Sequence, residues 1–127
     1  MTTKHTRDLS KDDFATTIGS GGIVLVDFWA EWCGPCRMFA PTYEAAAAQN
    51  TDLVFGKVDT EAQPELAAAF QIRSIPTLMA FRDEILVFSQ PGALPAAGLD
   101  DLIGQIRGLD MDEVRLKVAA EHTATAS

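Results

Sequence analysis

The sequence has only two cysteines, no long apolar run and few basic residues, and each shortage excludes a class of protein. Its 127 residues include 10 Lys and Arg against 18 Asp and Glu, a formal net charge of -8. Because an acidic surface repels phosphate groups, nucleic acids and anionic lipid surfaces are poor partners. The longest apolar runs, such as residues 23–26, are far shorter than the roughly 20 residues that cross a bilayer. We therefore expect a protein that binds neither nucleic acid nor membrane.

The amino terminus lacks the pattern of an export signal. Lys4, His5, Arg7 and Asp8 have no apolar run behind them, whereas a secretory signal requires one. We therefore expect a cytoplasmic protein, in a compartment where cysteines are kept reduced.

With 47% hydrophobic and 22% charged residues, the chain suits one globular domain that folds without a metal or a disulfide.

Hydrophobic patterning predicts an α/β fold. Residues 23–29 and 53–59 are nearly continuous aliphatic, β-branched and aromatic sequence, typical of strands buried on both faces. Two shorter runs, residues 77–82 and 85–89, are separated by two residues and predict a hairpin. Helices are predicted at residues 10–19, 37–49, 64–70 with Thr60 as the cap, and 95–109. The result is a central mixed β-sheet flanked by helices on both faces.

The chain divides unevenly into a domain and an extension. Residues 1–109 carry all the predicted strands and form the domain. Residues 110–127 form a C-terminal extension, which we expect to hold one short helix followed by a disordered end.

The two cysteines carry the chemical signal. Trp32-Cys33-Gly34-Pro35-Cys36 lies between a buried strand and a helix. A helix start offers free N–H groups and partial positive charge, which lower the pKa of a thiol placed there. Cys33 is therefore the expected nucleophile in disulfide exchange, and Cys36, three positions on, can close a disulfide with it.

Three other interpretations of the pair remain open. Zinc takes about four ligands, and the two histidines, His5 and His122, lie at opposite ends of the chain. A purely structural disulfide over so short a loop would restrain the unfolded chain little. The pair could also be retained unused on a redox-inert scaffold.

Asp27 is a carboxylate inside a predicted buried strand. Burial raises the pKa of a carboxyl group, which suits it to proton transfer near neutral pH. The alternative, a carboxylate satisfied by backbone or water at a strand end, is equally consistent with the spacing. Lys57, near the end of the neighbouring strand, is either the charge partner of Asp27 or a solvated strand end.

Ile75-Pro76 and Trp32 are further candidates. X-Pro bonds are the ones that adopt cis with appreciable frequency, although a proline before a strand also serves as a simple loop element. Trp32, beside a reactive cysteine, either offers partners a rigid apolar contact or packs in the core.

Together these residues resemble the thioredoxin family over roughly residues 7–109. The matching segments are Val26-Asp27-Phe28-Trp29-Ala30, Trp32-Cys33-Gly34-Pro35-Cys36-Arg37, Ala40-Pro41, Lys57-Val58-Asp59, Ile75-Pro76-Thr77-Leu78 and Gly92-Ala93-Leu94. The resemblance implies the thioredoxin fold and a protein-disulfide reductase. It also implies a monomer with no bound cofactor, which acts on disulfide-containing client proteins and is recharged by a flavin-dependent, NADPH-consuming thioredoxin reductase.

The resemblance also implies roles for individual residues. Cys33 matches the family's exposed nucleophile and Cys36 its buried resolving thiol, while Asp27 with Lys57 matches the acid that deprotonates the resolving thiol. Gly34 and Pro35 match the residues that tune a reducing pair. Pro76 matches the family's cis-proline. A shallow docking surface is implied by four matches: Trp32, Ile75, Pro76 and Gly92. A disulfide oxidase or isomerase on the same fold and a non-catalytic binding subunit are the alternatives.

Two departures from the family pattern concern turns. Asp83-Glu84 replaces a common Asn-Gly, so the hairpin turn lacks its usual glycine. Pro91 precedes Gly92 where an aliphatic residue is common, which puts the docking surface there in doubt.

Overall fold

The computed structural model describes residues 4–126, with the side chains described up to residue 121. The described residues form five strands: β1 Arg7–Asp8, β2 Ile23–Trp29, β3 Val54–Asp59, β4 Thr77–Arg82 and β5 Ile85–Pro91. The helices are α1 Lys11–Gly19, α2 Gly34–Gln49, α3 Pro64–Ala69, α4 Ala96–Arg107 and α5 Met111–Ala126. Within residues 4–126, no helix is long and apolar enough to cross a bilayer.

The strands form one mixed sheet in the order β1-β3-β2-β4-β5. β1, β3 and β2 run parallel, and β4 and β5 are antiparallel to their neighbours. The mixed sheet predicted from the sequence is therefore confirmed, with β1 as an addition that two exposed residues gave no pattern to predict. β2 lies at the centre, and its Asp27 is opposite Lys57 on β3 and Leu78 on β4.

Apolar side chains fill both sides of the sheet, as the continuous hydrophobic strands predict. Towards α2 and α4, the core contains Leu25, Phe39, Tyr43, Phe55 and Leu99, among others. Towards α1 and α3 it contains a second set, including Phe14, Val24, Phe28, Val58 and Leu66. Alternate residues of β2 thus enter opposite cores, and helices cover both faces.

Two helix starts differ from the predictions. Thr60 does not cap α3: its hydroxyl donates to the carbonyl oxygen of Trp29 at 3.1 Å, and Gln63 occupies the N-cap position before Pro64. Proline suits the first turn of a helix because its missing N–H would have no partner there. α2 begins at Gly34, not at residue 37, which places Cys33 at its N-cap. The cap predicted for α1 is confirmed, since the Ser10 N–H donates to Asp13 at 2.6 Å.

The hairpin between β4 and β5 forms without glycine. Asp83 and Glu84 both adopt positive φ, 51° and 72°, the backbone that a tight hairpin turn requires. Asp83 is also held from outside the hairpin: its N–H donates to the Gly22 carbonyl at 2.9 Å and its carboxylate pairs with Arg115 of α5 at 3.3 Å.

The extension carries α5, which continues to Ala126 and is longer than the short helix expected. Met111 at its start is buried, and Arg82 donates to the Leu109 carbonyl just before it at 2.9 Å. Of the end that we expect to be disordered, residues 123–126 continue the helical backbone of α5, whereas Ser127 lies outside the described residues.

Candidate active site

The two cysteines lie where β2 leads into α2. Cys33 is the N-cap of α2 and Cys36 is in its first turn, which brings their Cα atoms to 5.2 Å and joins the sulfurs in a disulfide. The Cys36 N–H donates to the Cys33 sulfur at 3.2 Å. The sulfur of Cys33 therefore receives one of the N–H groups that a helix start leaves without a partner in the helix.

Both cysteines are covered in the disulfide form. Cys33 is 4% exposed and Cys36 2%, packed with Ala30 and against Trp29 and Ile75. The exposed Cys33 implied by the resemblance is therefore not found in this oxidised form, because its neighbours cover the sulfur. Its polar neighbour on the covered side is the carbonyl oxygen of Ile75, 3.6 Å from the sulfur.

The Ile75-Pro76 loop lies directly against the disulfide. Its peptide bond is cis, as the resemblance implies. The Pro76 carbonyl accepts the Gly92 N–H at 2.8 Å, which brings the end of β5 to the same place. Gly92 has a φ of 104°, a conformation that glycine adopts without steric cost. Thus Ile75 lies against Cys33, and Gly92 is bonded to the neighbouring Pro76 although it is distant in the sequence.

Trp32 lies on the surface and does not pack in the core. It is 68% exposed, and its indole N–H donates to the Glu61 carboxylate at 2.7 Å. Sequence reasoning missed Glu61, because the two residues are 29 positions apart and neither spacing nor composition indicates that they meet.

Asp27 is buried within β2, two residues before the strand ends at Trp29. The residue is 0% exposed, and among the described residues neither carboxylate oxygen has a hydrogen-bond partner. Burial raises the pKa of Asp27 to about 7, against the opposing attraction of Lys57. Burial, together with the charge of Asp27, also raises the pKa of Tyr43 on α2.

Lys57 is opposite Asp27 in the sheet, and its side chain packs against a neighbouring aromatic ring. Its ammonium lies over the Trp29 ring, 4.5 Å from the centroid, a cation–π contact. The charge partnership of Lys57 with Asp27 stays a prediction; the attraction of the ammonium lowers the pKa of Asp27, the direction that such a partnership requires.

Zinc is one of the alternatives that the sequence leaves open for the cysteine pair. Among the residues whose side chains are described, no group of three or more His, Cys, Asp or Glu is placed to hold a metal ion.

Comparison with known proteins identifies the family of this chain. The model of the family described as Thioredoxin matches residues 5–105. The chain is 64% identical over 121 residues to "Putative thioredoxin 2" of Streptomyces coelicolor, covering 95% of this chain and 90% of that one. It is 44% identical over 99 residues to "Thioredoxin C-3" of Corynebacterium nephridii, covering 77% and 68%.

A solved structure agrees with the sequence relatives. The crystal structure of Malassezia sympodialis thioredoxin superposes with a TM-score of 0.73 at 32% identity, covering 83% of this chain and 93% of that one. The mixed five-stranded sheet with helices on both faces is thus the thioredoxin fold. Family, fold and a disulfide at the start of α2 agree. The chain belongs to the thioredoxin family and is a thiol–disulfide oxidoreductase with a redox-active disulfide.

Proposed function

We propose that this protein reduces disulfides in client proteins by exchange through Cys33 and Cys36, with Cys33 as the nucleophile. The observation that carries the assignment is the position of Cys33 at the N-cap of α2, where its sulfur accepts the Cys36 N–H at 3.2 Å. A thiolate at that position gains from the same hydrogen bond and from the positive end of the helix. Cys33 therefore ionises more readily than an ordinary thiol.

The exchange proceeds in two steps. In the first, the Cys33 thiolate attacks one client sulfur, a mixed disulfide forms, and the other client sulfur leaves as a thiolate that takes up a proton. In the second, the Cys36 thiolate attacks the Cys33 sulfur and the second client thiolate departs. The client gains two electrons and two protons, and the protein is left with the Cys33-Cys36 disulfide.

Asp27 takes the proton from Cys36 in the second step. A carboxyl group with a pKa of about 7 exchanges protons readily at neutral pH. Lys57 moderates the effect of burial and keeps a fraction of the carboxyl groups ionised. The carboxylate of Asp27 has no hydrogen-bond partner among the described residues. A bridging water therefore carries the proton from Cys36 to Asp27.

Clients dock on the surface formed by Trp32, Ile75, Pro76 and Gly92, which we call the docking surface. Ile75 offers its backbone to an extended client segment beside the disulfide, in the manner of strand addition. Gly34 and Pro35 lie in the first turn of α2, between the two cysteines, where the resemblance assigns them to tuning a reducing pair. Pro91 ends β5 next to this surface and pairs with Thr77, so its ring is held at the edge of the sheet.

The oxidised protein is recharged by a flavin-dependent thioredoxin reductase that draws on NADPH, so the chain needs no cofactor of its own. We place it in the cytoplasm as a monomer. Residues 1–109 form the redox domain and residues 110–127 an extension that supports it without entering the chemistry.

Replacement of Cys36 with Ser tests this assignment directly. Cys33 in the Cys36→Ser variant attacks client disulfides, but the mixed disulfide cannot be resolved, so covalent adducts accumulate. The measurement is recovery of client proteins from a cell lysate on immobilised variant, followed by release with dithiothreitol. The matched control, Cys33→Ser, should recover few. Equal recovery on both variants would contradict the assigned roles.

A further inference from the structure

Trp32 borders two hollows on the surface. One, of about 360 Å³, is lined by Glu31, Asp59 and Glu61. The other, of about 190 Å³, includes Arg73 and Ile75 among its lining residues. The carbonyl oxygen of Ile75 lies 3.6 Å from the Cys33 sulfur, so the second hollow is next to the disulfide. Trp32 thus lines the hollow next to the disulfide in the position that the structure shows.

Glu61, which lines the first hollow, accepts a hydrogen bond from the indole. The Trp32 N–H donates to the Glu61 carboxylate at 2.7 Å, a charge-assisted bond stronger than one between neutral groups. An indole without this bond, 68% exposed, would rotate about its two side-chain torsions.

The loop that carries Glu61 is itself anchored to β2 and β3. The Glu61 N–H donates to the carboxylate of Asp59, the last residue of β3, at 2.9 Å. The preceding Thr60 N–H donates to the Trp29 carbonyl at 2.9 Å, at the end of β2. Since β2 leads directly to Trp32 and Cys33, carboxylate and indole are positioned from the same point of the sheet.

We infer that Glu61 is a positioning residue for the docking surface: by accepting the Trp32 N–H, it fixes the indole where the hollow beside Ile75 stays open to client segments. This inference rests on the proposed function, because it assigns Glu61 a part in client binding. The benefit is preorganisation, since a side chain that is already ordered loses less freedom when the client binds. Glu61 acts through Trp32 and touches neither cysteine in the exchange.

The test compares Glu61→Ala with Glu61→Gln, whose amide oxygen can still accept the indole N–H without a charge. Reduction of insulin, with dithiothreitol regenerating the dithiol, gives KM and kcat. Reduction of dithiodipyridine, a small disulfide, reports the cysteine chemistry alone. We expect Glu61→Ala to raise the KM for insulin by about 3- to 10-fold, with kcat and the dithiodipyridine rate unchanged. Glu61→Gln should stay close to the wild-type protein.

A matched control and a spectroscopic measurement separate position from charge. Glu31→Gln removes a carboxylate from the same hollow and should leave the KM unchanged. The two tryptophans give two indole NMR signals, which a Trp32→Phe variant assigns. Relaxation of the Trp32 signal should show greater motion in Glu61→Ala and wild-type order in Glu61→Gln.

Any one of four results would overturn the inference: an unchanged KM in Glu61→Ala, an unchanged indole order in Glu61→Ala, a Glu61→Gln variant as impaired as Glu61→Ala, or an equal effect of Glu31→Gln. Failure of the wild-type protein to reduce insulin while it reduces dithiodipyridine is a different outcome. It would refute the proposed reduction of client proteins itself.

Discussion

Replacement of Asp27 with Asn should make the free energy of unfolding less dependent on pH. In the folded protein the carboxyl group is fully buried without a hydrogen-bond partner among the described residues, and its pKa is raised from 3.8 to about 7. In the unfolded chain it is solvated and titrates near its ordinary value. The folded state therefore holds this proton more tightly than the unfolded state does.

The sign and the magnitude follow from linkage. Because the folded-state pKa is the higher one, wild-type stability is present at low pH and is lost as pH rises between the two values, from about 4 to about 7. At about 1.4 kcal/mol per pKa unit, this loss totals about 4 kcal/mol. Asparagine does not titrate, so the variant escapes the loss. Any constant cost of its buried amide cancels when two pH values are compared.

Urea unfolding of the oxidised protein at about pH 4 and about pH 8.5 measures the effect. The stability of Asp27→Asn relative to wild type should rise by about 3 to 4 kcal/mol between the two conditions. Asp100→Asn, an exposed carboxylate on α4, serves as the matched control and should change stability by less than about 0.5 kcal/mol at each pH. If the relative stability of Asp27→Asn is the same at both pH values, Asp27 does not titrate as argued.

Three further predictions concern the same architecture. In single-turnover exchange with insulin, Asp27→Asn should slow resolution of the mixed disulfide more than the initial attack, and equal slowing would point to a structural role. Glu84→Gly should raise the free energy of unfolding in urea by roughly 0.5 to 1 kcal/mol, because Glu84 has a φ of 72°; a loss of stability would show that the turn holds no such strain. Truncation after Asp110 should lower the free energy of unfolding by roughly 1 to 3 kcal/mol, because the buried Met111 is lost. The reduction potential of the cysteine pair should stay unchanged, and a shifted potential would mean that the extension enters the chemistry.

Much of the fold could be predicted because the strands carry a strong local signal. The bounds of β2 agree with the predicted residues 23–29, since a continuous apolar run can be stable only inside the sheet. The hairpin was predictable from the separation of its strands alone. The short β1 was missed because two exposed residues show no alternation, and the Thr60 cap was wrong because the Trp29 carbonyl competes for its hydroxyl.

The redox pair was predictable, but its surroundings were only partly so. Two cysteines before a helix indicate their chemistry locally, whereas the coverage of Cys33 depends on Ile75, which arrives from 42 positions away. The bond between Trp32 and Glu61 is equally non-local. Contacts of this kind depend on how the sheet brings loops together, and one sequence carries no local pattern for them.

The reduction potential of the Cys33-Cys36 pair, titrated against a defined thiol buffer, tests the central claim most directly. A protein that reduces client disulfides needs a potential well below the cytosolic glutathione poise of about −240 mV, and this is the predicted result. A potential above about −200 mV would assign the pair to disulfide oxidation or isomerisation and contradict the account. A pair that does not titrate reversibly would contradict it as well.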